Sequence, residues 1–220
     1  MNGPELTERY LARAAEDGLD DVVLPGRGLR RMEADVRDCT RCPLHKGRTK
    51  FVFGAGDPNA RVMFIGEAPG AEEDKQGIPF VGRAGQLLDK IIEAIGFTRG
   101  EVYIGNMLKC RPPGNRDPEL SEVNTCRPYL DEQISIISPS FIVCLGRIAA
   151  QHLLETKSPL KALRGRWHSY RDVPVLVTYH PAALLRDPSY KRPTWDDVRV
   201  LRAAYDERFP GEKPPLKAAR

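Results

Sequence analysis

Four side chains suited to handling a polar ring stand at comparable places in this 220-residue chain. Glu67 is a carboxylate, Asn106 an amide and His180 an imidazole, and Phe80 offers a flat apolar face. A carboxylate can accept a proton or face a developing cation. An amide can accept and donate along one edge of a ring, and an imidazole can donate to a developing anion. Each polar residue ends or follows a short apolar run: RVMFIG before Glu67, EVYIG before Asn106, VPVLVTY before His180. Singly, Asn106 could merely end a strand and His180 could be structural. Together they describe one edge of a sheet carrying a site, with Glu73 and Asn115 within reach of it.

A second set of reactive residues is the cysteines. Cys39 and Cys42 form a C-x2-C pair; Cys110 and Cys126 each stand two residues before a proline; Cys144 lies within the apolar run FIVCL and reads as a buried thiol. Four cysteines in loops or at a helix start suggest a metal site, and a thiolate tetrad suits zinc or an iron–sulfur cluster. Spacing alone does not separate the two.

The elements that must position these residues alternate. Strands are expected over 61–65, 101–108, 141–145 and 173–178. Helices are expected over 6–15, 29–38, 84–95, 118–137, 146–154 and 194–208, the stretch 84–95 carrying Leu87, Leu88, Ile91, Ile92 and Ile95 on one side. Residues 158–165 read as a basic turn and 179–188 as a loop. Strands alternating with helices argue for an α/β fold, a four-stranded parallel sheet with helices on both faces, whose ligands sit at the carboxyl ends of the strands. The expected organisation is a helical extension and linker over 1–28, one domain over 29–209, and a frayed basic tail over 210–220.

Net charge is only +4, but residues 27–50 carry eight Lys and Arg against three acids, and residues 157–171 carry five with no acid. Such segments suit a polyanion such as nucleic acid. No apolar run approaches the ~18 residues of a membrane span. The N-terminus lacks a basic start followed by an apolar core, so a cytoplasmic, nucleoid-associated, monomeric protein is expected.

GEAPG at residues 66–70, PFVGRAGQLL at 79–88, the strand end at Asn106 running into KCRPPGNR, and HPAALLRDP at 180–188 resemble the motifs of the uracil-DNA glycosylase superfamily. With the four cysteines, the chain is similar to family 4, the iron–sulfur type, over roughly residues 33–208. The resemblance implies an α/β/α sandwich and a monofunctional enzyme that flips uracil out of single- or double-stranded DNA and hydrolyses its N-glycosidic bond. It implies a [4Fe-4S] cluster on Cys39, Cys42, Cys110 and Cys126. Glu67, Ala68 and Pro69 would line the uracil pocket, Phe80 would stack on the base, Asn106 would read its edge and His180 would face O2. Glu73 is expected to exclude the thymine methyl. Family 1 enzymes carry an aspartate where this chain has Ala68, which leaves Glu67 as the candidate base. Leu184 or Leu185, beside Arg186, is expected to wedge into the duplex. A relative that captures uracil-DNA covalently, or a metalloprotein that binds nucleic acid without chemistry, are the alternatives. The first carries a histidine in the segment here read as KCRPPGNRDP, which has none.

Overall fold

The four expected apolar runs form the middle of a six-stranded sheet. The computed structural model describes residues 25–216, so the helix expected over 6–15 and the last four residues of the tail lie outside the described residues. The strands are β1 (Ala55–Gly56), β2 (Val62–Gly66), β3 (Tyr103–Asn106), β4 (Phe141–Leu145), β5 (Trp167–Tyr170) and β6 (Val173–Thr178). Their order is β1-β3-β2-β4-β6-β5. The inner four are parallel, with Gly66 level with Asn106 and Leu145 level with Thr178. The edges β1 and β5 are antiparallel, which corrects the four-strand count. Neither edge carries a strand signature: β1 is two residues long, and β5 reads WHSY, exposed and half-buried by turns.

Among the described residues, eight helices pack around this sheet: α1 (Pro25–Val36), α2 (Ala71–Gln76), α3 (Arg83–Ala94), α4 (Leu120–Ile137), α5 (Arg147–Leu153), α6 (Leu160–Leu163), α7 (Pro181–Arg186) and α8 (Lys191–Arg208). The inner strands are buried on both faces, as continuous apolar runs require. Their alternation divides the core. Met63, Ile65, Ile142, Cys144, Val175 and Val177 face Leu130 and Ile134 of α4 and Leu153 of α5. Val62, Phe64, Val143, Leu145 and Leu176 face Leu88 and Ile92 of α3 and Leu201 and Tyr205 of α8. Each such side chain contributes about 1.5–3 kcal/mol on burial, so the two clusters hold the three layers together.

Three short helices depart from expectation. The polar segment AEEDKQ forms α2, closed by Gly77 in the left-handed region at φ 78°. Residues 160–163 form the single turn α6 within the expected basic turn. The expected loop at 179–188 contains α7, with Pro181 in its first turn, where a missing N–H costs nothing. α4 begins at Leu120 because Glu119 and Glu122 form a capping box there.

The start of the tail is pinned rather than frayed. Arg202, wholly buried on α8, donates to the carbonyls of Ile95 and Pro214 and to Asp206. Lys213 pairs with Glu101 and Arg61 with Glu212. Arg202→Met would orphan the buried Ile95 carbonyl, at about 1–3 kcal/mol, and release the Pro214 segment. At ~2–4 °C per kcal/mol for a chain of this size, Tm should fall by roughly 5 °C or more in calorimetry with the circular dichroism of the native state unchanged. An unaltered Tm would show that these bonds contribute nothing.

Candidate functional site

Each inner strand delivers a polar residue at its carboxyl end: Glu67 after β2, Asn106 at the end of β3, Arg147 after β4, His180 after β6. All four line one cleft of about 510 Å³, together with Ala68, Pro69, Glu73, Phe80, Asn115 and Arg186. Every expected pocket residue is therefore in one place. Of the two leucines expected to act as a wedge, Leu184 is buried in the packing of α7 and Leu185 is 41% exposed beside Arg186.

The cleft is built by close approach. A Cβ on Gly66 would fall 2.5 Å from Asn106 Oδ1 and 2.6 Å from Phe80 Cζ, so only glycine lets those side chains meet over the end of β2. Phe80 is held at φ 53°, a region costly for a non-glycine residue. Three contacts hold it there. Glu73 Oε1 accepts from the N–H groups of Val81 and Gly82, both at 2.8 Å. Arg99 donates to the carbonyls of Pro79 and Phe80 and pairs with Asp89. Gly85 presents no Cβ where one would fall 1.9 Å from the Phe80 carbonyl oxygen. The Phe80 ring then lies 5.5 Å from that of His180, tilted by 32°.

Asn106 is 2% exposed, and its Oδ1 is, among the described residues, a buried side-chain polar atom with no hydrogen-bond partner. An unpaired buried acceptor costs about 1–3 kcal/mol, a cost that a ligand bringing a donor would recover. His180 caps α7: its Nδ1 accepts from the Ala182 N–H at 3.1 Å. The neutral ring's proton therefore sits on Nε2, a donor. Burial, with help from the Arg186 charge and against Glu73, pushes the imidazole down to about 4. Burial, then Asp117, against Arg147, pushes the Glu67 carboxyl up to about 7.

Arg147, Arg116, Asp117 and Tyr179 also line the cleft and are absent from the sequence-derived set. Asp117 pairs with Arg147 at 2.8 Å, joining the loop before α4 to the start of α5. The Gly146–Arg147 step after β4 was the available signal, since it repeats the position of Glu67 and His180.

The four cysteines surround a second, smaller hollow with His45, Arg48, Phe51 and Tyr129. Among the described residues no three His, Cys, Asp or Glu side chains are placed to hold a single metal ion. Donors converge on the sulfurs: Arg48 reaches Cys110 Sγ at 3.3 Å and the Cys39 carbonyl at 2.6 Å, and the Tyr129 hydroxyl reaches Cys39 Sγ at 3.2 Å. Such donors suit a thiolate-bound group of net negative charge. Cys144 is fully buried elsewhere in β4, where burial pushes its thiol up to about 12.

The family model described as the uracil DNA glycosylase superfamily matches residues 53–199. A Type-4 uracil-DNA glycosylase of Sulfurisphaera tokodaii is 44% identical over 183 residues, covering 79% of this chain and 83% of that protein. One from Pyrobaculum aerophilum is 41% identical, covering 82% and 96%. One from Thermotoga maritima is 45% identical, covering 70% and 81%.

The two shifted groups should act oppositely on stability. Glu67, raised to about 7 from the usual 4.5, favours the folded state at low pH and loses that contribution as pH rises from about 4.5 to 7. His180, lowered to about 4 from 6.5, weakens the folded state at low pH and ceases to do so as pH rises from about 4 to 6.5. Their slopes largely cancel in the wild type. In denaturant titrations, Glu67→Gln should gain stability relative to wild type as pH rises from 5 to 7. His180→Asn should lose stability relative to wild type over the same interval. Parallel profiles for all three proteins would refute the assigned shifts.

Proposed function

The chain belongs to the uracil DNA glycosylase superfamily, among its Type-4 members, and from that premise we propose how its own residues excise uracil from DNA. It is a monofunctional glycosylase acting on uracil-containing DNA in repair. The observation that carries the roles of its individual residues is the unpaired Asn106 oxygen in the floor of the cleft.

A base within a duplex is out of reach, so the nucleotide is extruded into the cleft. Exposed Leu185 takes the place it leaves, and Arg186 and Arg147 face the backbone phosphates. Phe80 stacks on the uracil. The N3–H donates to Asn106 Oδ1 and the amide NH2 donates to O4. Cytosine reverses both groups, and such a mismatch at a buried amide discriminates by about 10⁴-fold or more. Ala68 and Pro69 form the wall beside Glu67. Glu73, by fixing the loop that carries Phe80, sets the wall against which a thymine methyl would press.

Cleavage of the C1′–N1 bond sends its electron pair into the uracil ring, with charge developing at O2, while the sugar turns cationic. Neutral His180 donates from Nε2 to O2; a donor of this kind is worth ~10²–10³ in rate. Water attacks C1′ and gives its proton to Glu67. A carboxyl titrating near 7 is well matched to that duty.

The cysteine hollow, with Arg48 and Tyr129 donating to its sulfurs, suits a [4Fe-4S] cluster. Cys39, Cys42, Cys110 and Cys126 would hold it. When bound, the cluster supplies a cross-link between the segment after α1, the loop after β3 and the body of α4. The protein acts as a cytoplasmic monomer near the nucleoid. Residues 1–28 and 210–220 flank the catalytic domain and take no part in the chemistry.

Incubation with a uracil-containing oligonucleotide in excess should release free uracil over many turnovers. A stoichiometric adduct, or binding without release, would overturn the mechanism. Asn106→Asp, which cannot donate to O4, should lose about 10²-fold or more in kcat with the fold intact; unchanged kinetics would remove Asn106 from base reading. The pH–rate profile should rise through a limb near pH 7 that Glu67→Gln abolishes along with most activity. Cys110→Ser should lose the brown visible absorption after anaerobic purification, and a colourless wild type holding zinc would refute the cluster.

A further inference from the structure

The segment that carries His180, Leu185 and Arg186 leaves the sheet at Thr178 and enters α8 at Lys191, and its two ends are tied together. Asp197 of α8 is 2% exposed, so its carboxylate needs partners. Its Oδ2 accepts from the Thr178 hydroxyl at 2.7 Å and from Arg164 Nε at 3.1 Å; its Oδ1 accepts from Arg164 Nη2 at 2.8 Å. The same Nη2 donates to the Pro193 carbonyl at 2.6 Å. The guanidinium carbon lies 5.1 Å from the centre of the Tyr179 ring. Tyr179 in turn stacks on Tyr190, with centroids 4.3 Å apart and planes 13° from parallel. Gly165, at φ 68°, admits this approach, since a Cβ there would fall 2.9 Å from Asp197 Oδ1. The basic stretch 157–171 thus turns Arg164 inward, away from any polyanion. From the other side, the Gly146 N–H donates to the Thr178 carbonyl at 2.9 Å, and a Cβ on Gly146 would fall 3.0 Å from the His180 Cβ.

We propose that Thr178, Asp197 and Arg164 form a clasp at the neck of this segment that positions His180 for its donation to the base. This rests on the proposed excision mechanism and names what aims its donor. None of the three lines the cleft, so they act through His180 and not on the substrate. The ladder between β4 and β6 ends at Thr178, two residues before the imidazole. Past that point no strand pairing fixes the chain, and α7 is only six residues long. The imidazole caps α7 through Nδ1, so ring and helix move together on whatever holds the neck. The Thr178 hydroxyl anchors the last strand residue to α8, while Arg164 spans Asp197, the Pro193 carbonyl and the Tyr179 ring. A donor aimed about 1 Å off its acceptor forfeits up to ~10²-fold in rate, so small play at this neck reaches the chemistry.

The test is a double-mutant cycle on multiple-turnover uracil release, run well below Tm. Thr178→Val, which keeps the shape and loses the hydroxyl, should lower kcat by about 5-fold or more while KM for the DNA stays within about 3-fold. Thr178→Ser, which keeps the hydroxyl, should stay within about 2-fold of wild type. In the His180→Asn background, Thr178→Val should change kcat by less than about 2-fold, because the group it aims is gone. Arg202→Met removes a buried cation from the same helix outside the cleft, and should lower Tm without lowering kcat. If Thr178→Val does not fold, Asp197→Asn takes its place in the cycle with the same expected losses. The inference is overturned if Thr178→Val matches wild type or Thr178→Ser is as slow as Thr178→Val. It is overturned equally if the loss is as large beside His180→Asn, or if Arg202→Met loses kcat to the same extent. His180→Asn as active as wild type would instead overturn the role of His180 in excision, and this inference would fall with it.

Discussion

One buried amide oxygen without a partner sets the terms for the rest of the molecule. Folding normally eliminates such atoms, because each costs about as much as a well-made hydrogen bond contributes. Asn106 Oδ1 survives unpaired because everything near it is already committed. Gly66 has no side chain to offer, and the nearby donors are spent: the Met107 N–H donates to the Gly66 carbonyl and the Leu108 N–H to the Glu67 carbonyl. The parallel sheet makes this possible: adjacent strands end at the same level, so their terminal residues look into a common space that no ladder fills.

The aromatic face above that oxygen is maintained against a backbone preference. A phenylalanine at φ 53° relaxes unless its surroundings over-determine it. Glu73 grips the two amides after it, Arg99 grips the carbonyls, and Gly85 admits the main chain where any side chain would strike it. A carboxylate engaged by two backbone N–H groups cannot also be a free catalytic base. Glu67 has no such grip and sits at the cleft wall, so of the two glutamates it is the one left free for the proposed role of proton acceptor.

Burial acts on Glu67 and His180 through one cause with opposite signs. Desolvation penalises the charged form of each, raising the acid and lowering the imidazole. The result crosses the usual order: the carboxyl titrates above the imidazole, leaving a neutral donor and an available acceptor together near neutrality. Arg186 reinforces the imidazole's shift, and Asp117 reinforces the carboxyl's while Arg147 moderates it. The rim charges that suit a phosphate backbone therefore also tune the interior, and DNA binding at the rim would alter both.

What could be read from the chain depends on how local each signal is. The inner strands announce themselves as continuous apolar runs, and the residue after such a run in an α/β pattern is at the ligand edge; Glu67, Asn106 and His180 were legible for that reason. Arg147 obeys the same rule, but arginine after a strand is common on ordinary surfaces, so type did not flag it. The edge strands were hidden because β1 has too few residues and β5 too little apolar pattern to show a period. Leu184 and Leu185 were indistinguishable by sequence, since which neighbour points inward depends on the phase of a six-residue helix. Lys109 was least legible of all. A lysine in a Pro- and Gly-rich basic stretch reads as solvated. Its burial goes with contacts to the Asn106 carbonyl and, 24 residues away, to Gln133. Chemistry at strand ends is written locally, whereas the partners of a buried lysine are written only in the packing that brings distant segments together.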